Sequence, residues 1–261
     1  MKRILITGAG SYIGQSFEAY LRQWPDQYQV DTLDLLDKNW KNADFSGFHA
    51  IFHVAGIAHI RETAENAHLY YEVNRDLAVD VAQKAKQAHV AQFVFLSSMS
   101  VYGVEEGVIT PKTSPAPKSN YGKSKLQAEE KLCQLREDGF SVTVLRPPMV
   151  YGDGCKGNYQ MLVKLAACVP VFPSYKNQRS MIHIDRLCMF VKGYIDHQND
   201  GLFFPQDEAY VCTTEMVKQI GADMGRTILL LSLLNPIVWI AKACTTKGKK
   251  AFGDLIYTRE D

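Results

Sequence analysis

Two side chains that together could move a proton lie four residues apart in the segment 119–125. Tyr121 and Lys125 would face the same side of a helix, because residues four apart are neighbours on a helix surface. A free tyrosine has a pKa of about 10 and is a weak base near neutral pH, whereas an ammonium group beside it favours the phenolate and lowers that pKa. The pair therefore predicts an acid/base device for a hydroxyl or carbonyl oxygen, with Lys123 pointing elsewhere. The alternative is a chance spacing on a solvated helix, and the surrounding elements must decide.

A glycine-rich turn near the start of the chain supplies a second chemical signal, because it follows a short apolar run and precedes a helical pattern. Gly8 permits a tight turn, Gly10 or its small neighbour lets a pyrophosphate approach the backbone, and Gly14 lets the helix pack closely on the strand. Free N–H groups at the helix start would bind the anion. We therefore predict a dinucleotide site rather than a purely structural turn. Its candidate residues are Gly8, Gly10, Ser11, Tyr12, Ile13 and Gly14.

Asp34 closes the second strand pattern, in Val30-Asp31-Thr32-Leu33-Asp34. A carboxylate at this point can accept hydrogen bonds from both ribose hydroxyls and repels a 2′-phosphate, which favours NAD over NADP. Asp31 is the weaker candidate because it lies within the strand. The alternative is a solvated aspartate at a strand end.

Alternating strand and helix patterns position these groups. Short apolar runs predict strands, and helical periodicity predicts the segments between them. The predicted strands cover 3–7, 30–33, 50–55, 92–96 and 142–145, and the predicted helices cover 16–23, 74–87 and 121–136. Repeated strand–helix–strand units indicate an α/β protein with a Rossmann-type doubly wound parallel sheet.

The pattern changes after Tyr151, where Gly152, Gly154 and Gly157 interrupt it. We predict a Rossmann domain for NAD over residues 1–150 and a smaller C-terminal lobe, mainly for substrate, over 151–261. A segment near 180–195 is expected to return to the first domain.

Composition and charge exclude several functional classes. The 261 residues are 46% apolar and 22% charged with a formal net charge of +1, which is ordinary for a soluble domain. No basic run is long enough for a nucleic-acid surface. Six scattered cysteines without a C-x-x-C pair predict reduced thiols and neither a disulfide framework nor a metal site. The first residues lead into a strand without a secretory pattern, so we predict a cytoplasmic protein.

One stretch, 228–241, is membrane-like in composition. It is too short to span a bilayer comfortably, and Asn235-Pro236 interrupts it. We expect a helix pair that is buried or packs on the C-terminal lobe; the alternative is contact with a membrane surface.

Four motifs in one order carry a family resemblance. They are the turn at 7–14, Leu96-Ser97-Ser98-Met99-Ser100-Val101-Tyr102-Gly103, Tyr121-Gly122-Lys123-Ser124-Lys125, and Arg146-Pro147-Pro148-Met149-Val150-Tyr151-Gly152. Together they resemble the extended short-chain dehydrogenase/reductase family, in its NAD-dependent nucleotide-sugar epimerase/dehydratase branch. The resemblance covers essentially the whole chain. It implies NAD as cofactor, a nucleotide-sugar substrate and a homodimer formed through helices near 75–88 and 121–136.

The resemblance assigns three catalytic residues. Ser98 occupies the place of the catalytic serine or threonine that hydrogen-bonds the reacting sugar oxygen, Tyr121 that of the base, and Lys125 that of the lysine that binds the nicotinamide ribose and lowers the tyrosine pKa. For Ser98 the alternative is a capping hydroxyl at a strand end. Further cofactor positions are Asp44, Phe45, Ala55, Gly56, Asn74 and Pro148, beside Tyr121 and Lys125.

Substrate contacts are implied at Ser98, Ser100, Asn158 and Arg179. The planar guanidinium of Arg179 would suit phosphate oxygens, and its alternative is a surface arginine. His183 is expected to pack or bond to backbone rather than to act in catalysis.

Departures from the family pattern refine the activity. Ser11 stands where many members have glycine, and Met149 where many epimerases have asparagine. Met99-Ser100 replaces the acidic pair of the 4,6-dehydratases, and eliminating water needs such an additional acid and base. The chain ends at residue 261, earlier than most members, so we expect either a small substrate lobe or a shortened chain.

We therefore predict an NAD-dependent UDP-hexose 4-epimerase that acts through a transient 4-keto sugar. One alternative is an NAD(P)-dependent reductase or dehydrogenase of a keto-sugar or other alcohol. Another is a non-catalytic nucleotide-binding sensor, against which the intact Ser98, Tyr121 and Lys125 set counts.

Overall fold

A central parallel sheet organises the chain in the computed structural model, which describes residues 1–58, 60, 62–155 and 157–259, and the side chain of every described residue except Asn158. The strands are β1 (Lys2–Thr7), β2 (Tyr28–Leu33), β3 (Ala50–His53), β4 (Gln92–Leu96), β5 (Gly107–Ile109), β6 (Ser141–Leu145), β7 (Met149–Tyr151), β8 (Val171–Pro173), β9 (Met181–His183), β10 (Gly201–Phe203), β11 (Leu229–Leu231) and β12 (Leu255–Tyr257). Six of them form the central sheet in the order β2-β1-β3-β4-β6-β10, all parallel. The predicted α/β fold with a Rossmann-type sheet is confirmed.

The helices connect and cover these strands. They are α1 (Tyr12–Leu21), α2 (Ala67–Tyr71), α3 (Leu77–Gln87), α4 (Asn120–Cys133), α5 (Asn158–Cys168), α6 (Ile184–Asp196), α7 (Thr213–Asp223), α8 (Asn235–Cys244) and α9 (Thr246–Phe252). A π-helical turn, Glu72–Asp76, joins α2 to α3. No helix of the described residues is both long and apolar enough to cross a membrane.

Alternating side chains of the sheet enter two cores. On one face Leu5, Ile51 and Phe93 pack against α3 and α4. On the other face Ile6 and Phe52 pack against α1 and α6. Strands buried on both faces carry near-continuous apolar sequences, which explains the runs that predict them.

The strand order fixes where a ligand binds. The chain moves from β1 to one side through β2 and to the other through β3, so the two crossovers diverge between β1 and β3. Ligands of open parallel sheets bind outside the carboxyl ends of the strands at such a switch point. The glycine turn after β1 and the loop after β3 lie at this point.

The second half of the chain contributes to both parts of the molecule. Strand β10 extends the central sheet and α6 packs beneath it. Helices α5 and α7, with Phe172 between them, form a separate small core. The domain division at residue 150 stays a prediction.

Two helix starts differ from the prediction. Helix α1 begins at Tyr12 rather than Ser16, because the Ser11 side chain caps it by accepting a hydrogen bond from the Gly14 amide. Helical structure also begins at Ala67, before the expected Asn74, and reaches α3 through the π-helical turn.

The stretch 228–241 packs in the lobe only in part. Ile228 and Val238 are buried and Leu230 packs against the lobe core, whereas Ile237, Trp239 and Ile240 are exposed. Apolar composition alone does not decide whether a helix turns its apolar side to a core or to the surface.

Candidate active site

The turn after β1 brings its backbone close to the end of β3. Gly8 has a φ of +107°, and a Cβ atom there would lie 2.8 Å from the Ala55 nitrogen, so a side chain does not fit. Gly10 has a φ of +78° with open space around it. The amides of Tyr12 and Ile13, in the first turn of α1, have no partner among the described residues. These features suit a diphosphate at the start of a helix.

Asp34 directly follows β2 and lies beside the glycine turn, because the amides of Gly8 and Ala9 both donate to the carbonyl of Leu33. Its exposed carboxylate accepts a hydrogen bond from the Leu36 amide at 2.9 Å. The second oxygen is available to a ribose.

We expect Asp34→Ala to weaken NAD binding by about ten- to a hundredfold, since hydrogen bonds to a charged group contribute about 1.5–3 kcal/mol. Affinity for NADP should rise, because the repulsion of a 2′-phosphate is removed. Titration calorimetry with both cofactors measures the two effects. The matched control is Asp31→Ala. Asp31 lies within β2, three residues before Asp34, and pairs with Arg3 of β1 at 3.1 Å. Equal effects of the two substitutions would reject Asp34 as the ribose ligand.

The predicted adenine pair is corrected in part. Phe45 is buried in the core, so its ring does not reach a cofactor. Asp44 is exposed, and hydrogen bonds from Ser46 hold the pKa of its carboxyl below the usual value. The groups of this pair that could contact the adenine are therefore the side chain of Asp44 and the backbone of Phe45.

Asn74 supports the loop after β3. Its Oδ1 accepts from the Ile57 amide at 2.7 Å, and its Nδ2 donates to the Ile57 carbonyl at 3.0 Å and to Ser124 Oγ at 3.1 Å. A Cβ atom on Gly56 would lie 2.9 Å from Asn74 Oδ1 and 3.3 Å from Lys125 Nζ. Asn74 is therefore a positioning residue that joins the loop to helix α4.

Helix α4 carries both residues of the initial pair. The Ser119 side chain caps it by accepting from the Gly122 amide at 3.1 Å. Gly122 allows the helix to approach the segment after β4, since a Cβ atom there would lie 2.6 Å from the Ser100 carbonyl oxygen. Tyr121 and Lys125 face inward, whereas Lys123 is exposed.

Ser98 lies beside the Tyr121 phenol. Ser98 follows β4 and accepts from the Ser100 amide at 3.1 Å, as the cap of a short 3₁₀ turn, Met99–Tyr102. Burial raises the pKa of the Tyr121 phenol, and the neighbouring Ser98 hydroxyl acts in the opposite direction. Lys125 is not among the groups that shift the tyrosine pKa, so its predicted lowering effect is corrected.

Lys125 lies below the reactive pair, only 4% exposed. Its Nζ donates to the Leu96 carbonyl at 2.8 Å and lies 4.6 Å from the centroid of the Phe95 ring. Burial lowers the pKa of Lys125 to about 8, against the charge of Glu129, which raises it. The ammonium thus reaches the carboxyl ends of β3 and β4, where a nicotinamide ribose would lie.

The lowered pKa of Lys125 predicts a pH dependence of stability. Between about 8 and the ordinary value of 10.5 the unfolded chain binds more protons than the folded one. The contribution of Lys125 to the free energy of unfolding therefore rises with pH in this window, by up to about 3 kcal/mol.

Urea unfolding of wild type and Lys125→Met at pH 7.5 and 9.5 measures this effect. We expect wild type to gain stability relative to the variant at the higher pH. Lys123→Met is the matched control on the same helix. A constant difference between wild type and Lys125→Met would contradict the prediction.

The remaining predicted residues lie around this centre or in the C-terminal lobe. Ser100 is exposed and Pro148 is buried beyond β6. Arg179 donates to the Gly253 carbonyl at 2.8 Å, and burial lowers the pKa of its guanidinium although Glu105 and Asp254 raise it. Its predicted diphosphate contact stays a prediction. Asn158 begins α5 and its side chain lies outside the described residues; His183 caps α6, in agreement with a structural role.

A buried ionic network lies beside Ser98, and the sequence motifs did not predict it. Arg146 donates to Glu129 at 2.5 Å and to the Tyr102 hydroxyl at 2.8 Å, and Ser97 donates to the same carboxylate. The Tyr257 hydroxyl donates to the Arg146 carbonyl at 2.9 Å, which ties β12 to the site. A usable signal is the four-residue spacing from Tyr121 through Lys125 to Glu129, which places a carboxylate on the buried side of α4.

The chain is similar in sequence to known proteins. A model of the NAD dependent epimerase/dehydratase family matches residues 4–201. A Vibrio cholerae protein named UDP-glucose 4-epimerase is 34% identical over 187 residues, which are 67% of this chain and 57% of that protein. The chain thus spans a little over half the length of the first curated relatives it matches.

Solved structures share the fold. The dTDP-4-dehydrorhamnose reductase of Bacillus anthracis, in complex with NADP, has a TM-score of 0.75 at 20% identity and covers 100% of this chain and 92% of its own. The UDP-glucuronic acid 4-epimerase of Bacillus cereus, in complex with NAD, has a TM-score of 0.72 at 17% identity, with 98% and 89% covered. Likeness at these identities establishes the Rossmann-type architecture.

Proposed function

This chain belongs to the NAD dependent epimerase/dehydratase family, and we propose that it epimerises a nucleotide sugar, a UDP-hexose, at C4. The observation that carries the proposal is the placement of Ser98, Tyr121 and Lys125 together at the carboxyl edge of the sheet, where Lys125 donates to the Leu96 carbonyl at the end of β4. The similarity to a protein named UDP-glucose 4-epimerase supports this choice of substrate class.

The residues present suit NAD. A diphosphate fits the open backbone at Gly10 and the partnerless amides of α1, and Asp34 suits a ribose without a 2′-phosphate. NAD held there would supply a reversible hydride acceptor for the sugar carbon, and its positive nicotinamide ring would favour the Tyr121 phenolate.

The protein's own residues move and hold the proton. Tyr121 takes the proton of the C4 hydroxyl as C4 loses its hydride, and it returns the proton to the 4-keto oxygen after the sugar has turned its opposite face to the cofactor site. Ser98, beside Tyr121, positions the reacting oxygen. Lys125 binds the ribose hydroxyls and fixes the cofactor against the phenol.

The family also contains dehydratases, and the residues after Ser98 weigh against that reaction. Met99 is buried and Ser100 ends in a hydroxyl, so neither supplies the acid or base that loss of water requires. A tyrosine–serine pair is sufficient for oxidation and reduction at a single carbon.

Incubation with UDP-glucose and UDP-galactose tests the proposal. We expect conversion of one into the other, followed by nuclear magnetic resonance, with no net change in the absorbance of reduced nicotinamide. Stoichiometric consumption of a reduced cofactor with a keto-sugar would replace epimerisation with the reductase alternative. Absence of turnover across a panel of UDP-hexoses would overturn the assignment.

We also propose a homodimer that forms through α3 and α4. The two helices pack side by side on one face of the sheet, with Ala82 and Ala128 in the same core, so their outer sides form one surface. Light scattering after size-exclusion chromatography measures the mass; a monomer at micromolar concentration would contradict the proposal.

A cytoplasmic location is consistent with six cysteines that form no disulfide among the described residues.

A further inference from the structure

A cluster of apolar side chains in the C-terminal lobe faces outward. Leu233 is 86% exposed, Ile240 64% and Trp239 61%. The cluster, called here the apolar patch, comprises Leu229, Leu231, Leu233, Ile237, Trp239 and Ile240. Large apolar side chains exposed together on one segment of the chain indicate an interaction site.

Contacts on the inward side of helix α8 fix which of its sides faces outward. Its inward side holds Val238 and Lys242, and Lys242 donates to Glu106 at 2.9 Å and to the Tyr175 hydroxyl at 3.2 Å. The outward side carries Ile237 and Ile240 without a polar side chain between them. The helix thus anchors its one charge inside and presents its apolar side outside.

The chain segment that carries the apolar patch has only positive charges of its own. Residues 226–252 contain Arg226, Lys242, Lys247, Lys249 and Lys250 and no aspartate or glutamate. Lys242 and Lys250 pair with Glu106 and Glu105. Within the described part of the chain the other three cations form no ion pair. This differs from the whole chain, in which 29 basic residues balance 28 acidic ones.

We propose that the apolar patch docks on an anionic lipid bilayer, with α8 lying in the plane of the interface. A ten-residue helix is too short to cross the hydrocarbon core, but it suits insertion of one apolar side among the headgroups. Tryptophan favours that depth, which accounts for an exposed Trp239. Arg226, Lys247 and Lys249 complement anionic headgroups.

A second copy of this chain fits the patch less well. A two-fold contact brings the same surface of both copies together, so cations at the rim of one patch approach the cations of the other. Residues 226–252 offer no carboxylate to balance them. A bilayer that carries negative charge satisfies the apolar and the positive groups together.

Vesicle co-sedimentation of the full chain tests the proposal. We expect binding to vesicles of phosphatidylcholine that contain about 30 mol% phosphatidylglycerol, because basic side chains are attracted to anionic headgroups. Binding to vesicles of pure phosphatidylcholine should be weaker. Binding should fall as salt is raised, because ions screen the headgroup charge. A blue shift of tryptophan fluorescence should accompany binding and should be absent from Trp239→Phe, since Trp40 is buried and Trp24 is partly buried.

Two variants separate the apolar and the charged contributions. Ile237→Asp with Ile240→Asp should lower partitioning at least about thirtyfold, since each isoleucine loses its burial in the interface. Lys247→Glu with Lys249→Glu should lower it about fivefold for each lysine on anionic vesicles. The matched control is Met189→Asp, at a methionine of α6 that is 44% exposed outside the patch.

Circular dichroism and NAD binding establish that each variant is folded. Equal binding to both vesicle types, no binding to either, or a dimer that Ile237→Asp with Ile240→Asp dissociates would overturn the proposal. Turnover of a soluble nucleotide sugar is a separate measurement, so failure of the epimerase assignment and failure of membrane docking are distinguishable.

Discussion

Replacing Tyr121 with phenylalanine is expected to lower turnover by about a thousandfold or more, while NAD affinity changes by only a few-fold. The substitution removes one oxygen atom, the neighbour of Ser98 and the group that takes the sugar proton. General acid–base catalysis contributes about 10²–10⁴ in rate. Steady-state kinetics of sugar interconversion and calorimetric titration with NAD measure the two quantities.

The control for this prediction is Tyr20→Phe, since Tyr20 lies at the far end of α1 against Trp24. Its turnover should stay close to that of wild type. Near-normal turnover in Tyr121→Phe would remove the tyrosine from the mechanism. Loss of NAD binding in the same variant would instead assign it a structural role.

The largest effect on stability is expected at Glu129. The side chains of Glu129 and Arg146 are 5% and 7% exposed, and the arginine cannot lose its charge when its partner is removed. Glu129→Ala therefore leaves a buried cation with the Tyr102 hydroxyl as its remaining side-chain acceptor. We expect a loss of about 3–5 kcal/mol in the free energy of unfolding, measured by urea denaturation.

A double substitution distinguishes the buried charge from lost packing. Glu129→Leu with Arg146→Met removes both charges and should recover most of the stability, because a buried ion pair is often no more stable than an apolar pair of similar volume. Glu208→Ala is the exposed counterpart, since Glu208 pairs with Arg186 at the surface, and it should leave the midpoint nearly unchanged. If the double variant is as unstable as Glu129→Ala, the loss comes from packing.

The central sheet could be predicted because its strands are buried on both faces. The runs at Gln92–Leu96 and Ser141–Leu145 are apolar for that reason, and the prediction placed both within one residue. The catalytic set could be found because each residue adjoins a local signal: Ser98 ends a strand, and Tyr121 and Lys125 share one side of a helix. These signals involve short stretches of sequence.

Features that depend on distant parts of the chain were missed. The pairing of Glu129 with Arg146 joins a helix to a strand, and Tyr257 reaches it from β12. The pKa of Tyr121 depends on its burial by the assembled site rather than on the spacing of Lys125. Helical periodicity from Leu77 onward gave the wrong helix start, because the π-helical turn changes the register before it.

The π-helical turn Glu72–Asp76 also makes the site sensitive to the deletion of a single residue. It accommodates one extra residue within an otherwise regular helix. Loss of a single residue from it would leave the helix intact but rotate Asn74 by about 100°, away from the Ile57 backbone. Hydrogen exchange at the Ile57 amide, slow when Asn74 accepts from it, would reveal such a change in a protein with unaltered helix content. Along this helix, substitutions at positions other than Asn74 are therefore tolerated better than a deletion.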